Sequence, residues 1–87
     1  MLFFLGKVVA TAGAAQRISQ AETISALDRH RSGDWGEVSE EDWKRNDDAV
    51  KNGERIISSY RAFDGTKFWI ITEWDRSYTT VLLPEDY

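Results

Sequence analysis

The spacing of apolar and polar residues changes near Gly53. Beyond that glycine the two kinds of residue alternate, which is typical of a strand with one buried face. Three segments show the alternation: residues 56–63, 67–74 and 78–83. Asp64-Gly65 is a strong hairpin signal, and residues 75–77 form a second short turn. The pattern therefore predicts a three-stranded antiparallel meander over residues 55–83.

Ahead of Gly53 the pattern predicts one strand and three helices. Residues 2–10 are rich in β-prone side chains and are interrupted by Gly6, which suggests a strand with a bulge or a close backbone approach. The predicted helices cover residues 14–19, 22–31 and about 40–52. Ser39 and the three acids after it resemble a capping box, and Gly53 is suited to end the third helix.

These elements fit an α+β fold with a single small domain, residues 1–87. A chain of 87 residues has no room for a second core. The expected product is a sheet of about four strands, mainly antiparallel, with two or three helices on one face and the first strand beside the meander. In the second helix, the spacing places Ile24, Leu27 and Arg31 on the inward stripe.

The chain contains no cysteine. Disulfides, thiolate metal sites and cysteine nucleophiles are therefore excluded. The apolar start of the chain is interrupted by Lys7 and has no basic region before it, so it suggests neither a signal peptide nor a membrane span. We expect a cytoplasmic protein with no membrane association. No phosphate-cradling loop or dinucleotide motif points to a cofactor or to an enzyme.

Acidic residues are concentrated in one segment. The formal net charge is −4, and residues 34–48 contain seven acids and two bases, which gives −5 there and +1 elsewhere. A negative protein is poorly suited to tracking phosphates, so direct nucleic-acid binding is disfavoured. The sequence favours a non-catalytic module that binds a basic protein partner through this segment. The candidate protein-binding residues are Asp34, Trp35, Glu37, Glu40, Glu41 and Asp48.

Two alternatives from other classes remain open. A small-ligand or nucleotide-binding domain, with or without catalysis, would need His30, Asp34, Asp75 and Arg76 to converge on one pocket. A homodimeric accessory protein would instead form by pairing of edge strands. Both alternatives differ from the protein-binding module in the surface that they use.

The polar residues of the ligand-binding alternative also have structural interpretations. His30 lies at the predicted end of the second helix, where a charged imidazole ring would complement the helix dipole. Asp34 and Asp75 fit Asx-type turns, with Trp35 capping the edge of the core. One histidine with scattered carboxylates has no recognised metal-ligand spacing, so no metal site is expected.

Six segments carry a resemblance to a known family: residues 30–36, 39–42, 46–47, 69–73, 75–77 and 79–87. With them the sequence resembles small bacterial proteins of plasmids and other mobile elements, often labelled plasmid-related proteins or type I restriction endonuclease subunit M. The second label does not fit, because a methyltransferase subunit needs a far longer chain and a cofactor motif. Residues 11–14 read Thr-Ala-Gly-Ala, where the family usually has Thr-Pro-Gly-Ala.

The resemblance implies a context and no chemistry. The family has no established activity that could be carried over to a residue of this chain. A mobile-element accessory protein that acts around host defence is implied, for example a counter-defence inhibitor that binds a nuclease or restriction complex.

Overall fold

The structure, a computed structural model, describes residues 1–87 and contains four strands and three α-helices. The strands are β1 (Lys7–Ala10), β2 (Ile56–Arg61), β3 (Lys67–Thr72) and β4 (Tyr78–Leu82). The helices are α1 (Ala12–Arg17), α2 (Gln20–Arg31) and α3 (Glu40–Asn52), and a 3-10 turn (Pro84–Asp86) follows β4. The predicted α+β class is confirmed. None of the helices has the length and apolar character needed to cross a lipid bilayer.

The four strands form one sheet in the order β1-β4-β3-β2. β2, β3 and β4 are the predicted antiparallel meander, joined by the turns at Asp64-Gly65 and at residues 75–77. β1 lies beside β4 and runs parallel to it, with Lys7 in register with Tyr78. The two edges of the sheet are therefore β1 and β2.

The first strand is shorter than the predicted residues 2–10. Gly6 has a left-handed backbone (φ 65°) and lies so close to the turn before β4 that a Cβ atom would overlap with the carbonyl oxygens of Arg76 and Ser77. Before Gly6 the chain leaves the sheet, and the Phe3 ring is buried in the interior. Regular pairing begins only at β1 because the left-handed glycine breaks the extended backbone.

The main core lies between α1, α2 and one face of the sheet. Its buried side chains are Ala14, Ile18, Ala26, Tyr60, Ala62, Phe68, Ile70, Val81 and Leu83. The members on β2 and β3 occupy alternate positions, as the sequence pattern predicts. A second, smaller cluster consists of Phe3, Trp35, Ala49 and Ile56.

The first two helices differ from their predicted positions. Both begin two residues earlier, because Thr11 and Ser19 cap them. The inward stripe predicted for α2 is wrong in part, since Ile24 is 54% exposed whereas Ala26 and His30 are buried. The helix is rotated relative to the prediction because His30, a polar residue in any hydropathy pattern, forms buried hydrogen bonds with the strands.

α3 forms where its capping residues predict. Ser39 Oγ accepts a hydrogen bond from the Asp42 N–H (3.1 Å), and Gly53 ends the helix with a left-handed backbone (φ 67°). Only Asn46 and Ala49 are buried, so the helix is mostly solvated, in agreement with its thin apolar stripe.

The β2 edge of the sheet is covered by other parts of the chain. The Asn46 side chain bonds twice to the Ile57 backbone: Nδ2 donates to the carbonyl (2.8 Å), and Oδ1 accepts from the N–H (3.2 Å). Farther along, the Ser59 N–H donates to the Trp35 carbonyl, and the Glu37 N–H donates to the Ser59 carbonyl. The outer backbone groups of β2 are therefore paired at these two positions.

We predict that Asn46→Ala lowers the free energy of unfolding by about 2 to 3 kcal/mol, because two hydrogen bonds are lost and the Ile57 backbone is left unpaired at a covered edge. Chemical denaturation followed by circular dichroism measures the change. Lys44→Ala, at an exposed position of α3, should change it by less than about 0.5 kcal/mol. Equal stability of Asn46→Ala and the wild type would contradict the role given to the amide.

Candidate functional site

β1 is the free edge of the sheet. It pairs only with β4, and all four of its residues are exposed. The N–H groups of Lys7 and Thr11 donate to carbonyls on the β4 side. Alternate residues of a strand direct their backbone groups to opposite sides, so the N–H and C=O groups of Val8 and Ala10 point away from the sheet.

Apolar side chains flank this free edge on both faces of the sheet. Val8 is 44% exposed and Val9 is 36% exposed, and successive side chains of a strand point to opposite faces. The first nine residues supply five of the eleven large apolar side chains that are exposed in the protein: Met1, Leu2, Phe4, Val8 and Val9. Of these five, Val8 and Val9 lie on β1 beside its unpaired backbone, whereas Leu2 donates its N–H to the Arg31 carbonyl at the end of α2.

The two edges of the sheet differ in how they are protected. Asn46 and the loop after α2 cover β2, whereas β1 has no such cover. Soluble proteins usually blunt an open edge, because it is a template for pairing with another strand. The one charged residue of β1 is Lys7, and its own backbone faces β4. The outward-facing positions of the edge are uncharged.

His30 does not lie at a surface pocket but in a buried chain of hydrogen bonds. Its Nδ1 is 2.5 Å from Ser58 Oγ, and its Nε2 is 2.9 Å from Thr72 Oγ1. Thr72 Oγ1 is 2.7 Å from Thr79 Oγ1, which donates to the Leu5 carbonyl (2.7 Å). Because Thr79 already donates to Leu5, it must accept from Thr72. Thr72 then accepts from Nε2, and Ser58 donates to Nδ1.

This arrangement holds the His30 ring neutral, with its proton on Nε2. The ring is fully buried, and desolvation lowers its pKa to about 3, with a smaller contribution from the charge of Arg76. The expectation of a charged imidazole at the helix end is therefore wrong, because the ring faces the strands. A ring that is sealed from solvent and already bonded at both nitrogens is a structural element of the core.

The two aspartates of the ligand-binding hypothesis are engaged in their own turns. Asp34 pairs with Arg29 (2.8 Å) and accepts from the Gly36 N–H (3.1 Å). The hydrogen bond from Arg29 lowers the pKa of Asp34. Asp75 accepts from the Ser77 N–H (3.1 Å), and hydrogen bonds from Ser77 lower its pKa. Both are the Asx-type turns that the sequence indicates.

Arg76 holds the end of α3. Its guanidinium donates to the carbonyls of Ala49 (2.9 Å), Glu54 (2.6 Å) and Glu73 (3.1 Å). These bonds connect the end of α3 to the turn between β3 and β4. No groove of the protein is lined by more than one of the four residues of the ligand-binding hypothesis. The structure therefore does not bring the four together in a pocket, and no group of three His, Cys, Asp or Glu side chains could hold a metal ion.

Trp35, a candidate surface anchor in the sequence, is fully buried. Its ring stacks near Phe3 (centroids 6.1 Å apart) and meets the His30 ring edge-on (5.8 Å). Its Nε1 donates to Asp47 (3.0 Å), so its polar group is satisfied. Trp35 is therefore a core residue and offers no surface to a partner.

The acids of the predicted protein-binding segment are only partly free. Asp34, Glu37 and Glu41 form ion pairs with arginines. Glu40 and Asp48 are exposed on α3 and have no ion-pair partner. Exposed lysines on the same helix give its outer surface a mixed charge. The acidic character of the segment is real, but internal pairs reduce the number of charges open to a partner.

The open edge at β1 was not among the residues that the sequence singles out. Its residue types are unremarkable, with one lysine, two valines and one alanine. Whether a strand is central or at an edge depends on the pairing of residues 7–10 with residues 78–81. Only the general possibility of edge-strand pairing was visible, because local patterns contain no information on strand order.

Comparisons with protein-family models, with curated proteins and with solved structures found no match to this chain.

We predict that acidification destabilises the fold through His30. The ring titrates near pH 6.5 when unfolded and near 3 when folded, so the unfolded chain binds more protons between these values. The contribution of the neutral ring is fully present above pH 6.5, and up to about 5 kcal/mol is lost as the pH falls toward 3. Urea denaturation over a series of pH values measures the loss.

His30→Gln is the reference for this measurement, because glutamine does not titrate. Its free energy of unfolding should be lower than that of the wild type at neutral pH but should fall less on acidification. The free energy of unfolding of each protein is plotted against pH, and the difference between the two slopes gives the contribution of His30. The aspartates Asp34, Asp64 and Asp75, whose lowered pKa values also cost stability in acid, contribute equally to both slopes. Parallel slopes would contradict the assignment of a buried neutral ring.

Proposed function

We propose that this protein is a non-catalytic interaction module that accepts an extended segment of a partner protein as a fifth strand beside β1. The observation that carries the proposal is the unequal state of the two sheet edges, since β2 is covered and β1 is open. In strand addition, backbone hydrogen bonds supply affinity and pockets for alternate side chains supply specificity.

The geometry of β1 defines what a partner strand would need. Val8 and Ala10 together offer up to about four backbone hydrogen bonds to an incoming strand. An apolar side chain could contact Val8 on the helix-covered face, or Val9 and the exposed Tyr78 on the other face. Lys7 has no ion-pair partner and favours an acidic residue opposite it.

The resemblance to plasmid-encoded proteins supports a partner in the host cell. A nuclease or a restriction complex is the class of partner that we propose, because a nucleic-acid-binding protein presents a basic surface. The acidic segment, with unpaired charges at Glu40 and Asp48, would attract such a surface. In this proposal the segment brings the partner near, and β1 makes the specific contact.

We predict that Val8→Pro abolishes strand addition without unfolding the protein. Proline removes the outward N–H and places its ring where the partner strand would pair, yet it takes no hydrogen bond away from β4. Peptides that bind the wild-type protein can be selected from a displayed random library. Their affinity for the variant should be at least about tenfold lower than for the wild type. Isothermal titration calorimetry measures the affinities.

Val8→Thr is the matched control, because it keeps the N–H and the β-branched shape, and it should bind like the wild type. Hydrogen exchange locates the contact: the Val8 and Ala10 amides should exchange fast in the free protein and become protected in the complex. Selected peptides that bind Val8→Pro unchanged and leave these amides unprotected would remove the proposal. If these amides become protected as the concentration of the protein rises without any peptide, the edge pairs with a second copy of the chain.

We predict that the acidic segment controls the rate of association. The triple variant Glu40→Lys, Glu41→Lys and Asp48→Lys should slow association with a selected peptide bearing a lysine tail by about tenfold at low salt, with little change in dissociation. Surface plasmon resonance at two salt concentrations measures both rates. The same peptide with a neutral tail is the control and should associate equally with both proteins. Equal rates for the lysine-tailed peptide would exclude a steering role.

A further inference from the structure

A groove on the sheet face opposite to α1 and α2 is a second candidate site, beside β2 and at the edge opposite to β1. Its volume is about 430 Å³, which lies in the range of small-molecule sites. β2 and β3 contribute its floor, and the start of α3 with the preceding loop contributes one wall. Arg55 and Tyr87 line this groove as well as a neighbouring depression over β4, so they separate the two.

Ser59, which lines the groove, carries the one buried side-chain polar atom of the protein that has no hydrogen-bond partner, its Oγ. Ser59 is 5% exposed and lies opposite Trp69 in the register of β2 and β3. Each of the other buried polar side chains has a partner: His30, Asn46, Ser58, Thr72 and Thr79. An unpaired buried hydroxyl is costly and points to a molecule that binds there.

The charges around the groove favour an anion. The charged residues that line it are Glu37, Asp42, Arg45, Arg55 and Lys67. Both acids already pair with arginines. Lys67 has no ion-pair partner, and the one acid near Arg55 is Glu73, at 3.7 Å. The net positive charge of the lining, in a protein with a net charge of −4, is therefore open to a negative ligand.

Two aromatic rings lie next to these cations. Trp69 is half-buried in the floor and meets the Tyr87 ring edge-on, with centroids 5.7 Å apart. The Arg55 guanidinium lies 5.4 Å from the centre of the Tyr87 ring and donates to its hydroxyl (2.9 Å). Trp69 thus offers a stacking surface to a planar ring, within the same groove as the free positive charge.

We infer that this groove binds a small molecule that joins a planar ring to an anionic group, the chemistry of a nucleoside monophosphate. The ring stacks on Trp69, and the anion pairs with Lys67 and Arg55. The Ser59 hydroxyl, turned into the groove by rotation about χ1, bonds to the ligand and gains the partner that it lacks. Because β1 lies at the opposite edge of the sheet, this site is separate from the proposed partner-binding edge.

Titrations with adenosine monophosphate, adenosine and inorganic phosphate test the inference. Adenosine monophosphate should shift the Ser59 amide and the Trp69 indole resonances saturably in ¹H–¹⁵N spectra. It should bind at least about tenfold more tightly than adenosine or phosphate alone, because only it engages both the ring and the cations. Indole-3-acetate joins an aromatic ring to a carboxylate instead of a phosphate. If it binds more tightly than adenosine monophosphate, the groove is a site for carboxylates.

Three variants localise the binding. Lys67→Glu should weaken adenosine monophosphate by about tenfold or more, and Ser59→Ala by about threefold or more. Lys51→Glu makes the same charge change on α3 outside the groove and should leave the affinity unchanged. Ser59→Ala should fold with at least wild-type stability, since it removes an unpaired hydroxyl.

Two results would overturn the inference. One is the absence of any shift in the groove resonances with all four ligands. The other is an equal loss of affinity in Lys51→Glu and Lys67→Glu, which would show a general charge effect. Val8→Pro should bind adenosine monophosphate like the wild type, so the failure of this inference and the failure of strand addition are separate outcomes.

Discussion

A buried chain of hydrogen bonds, from Ser58 through His30 and two threonines to the Leu5 carbonyl, connects parts of the protein that are distant in sequence. α2 supplies the ring, the three antiparallel strands supply one hydroxyl each, and the N-terminal segment supplies the final acceptor. Because each donor has one usable direction, the chain works as a unit. A one-residue slip of any strand would turn its hydroxyl to the other face, so these bonds define the register.

The register in turn decides which surfaces are exposed. The face that carries the Ser58 and Thr72 hydroxyls packs against α1 and α2, and the opposite face, with Ser59 and Trp69, contains the groove beside β2. The loop after α2 lies against the outer side of β2. At Gly36 it is so close that any Cβ atom would overlap with the Ser59 carbonyl. That contact covers one edge of the sheet and forms part of the wall of the groove, whereas the other edge receives no cover.

Features that depend on neighbouring residues could be predicted from the sequence. The meander follows from alternation and from Asp64-Gly65, and α3 follows from Ser39 and Gly53. Features that depend on distant partners could not. α2 is rotated because strand hydroxyls form hydrogen bonds with the His30 ring. Hydropathy counts this ring as polar and therefore assigns it to the surface.

The same limit applies to the candidate sites. Trp35 and the acids are conspicuous in the sequence, but the ring is buried and two of the acids are paired with arginines from other elements. Conversely, Val8 and Ala10 have no distinctive chemistry, and their backbone groups matter only because β1 is outermost. Ser59 is one serine among several until the structure shows that its hydroxyl lacks a partner.

The pairing of β1 with β4 also has a consequence for how the chain folds. It joins Lys7 to Tyr78, so β1 pairs with the strand that lies farthest from it among the four in the sequence. Closing so long a loop costs more entropy than closing the local hairpins, and the meander should therefore form first. On the ribosome, β1 must remain unpaired until β4 has emerged. The open edge of the finished sheet is thus carried by the strand that docks last.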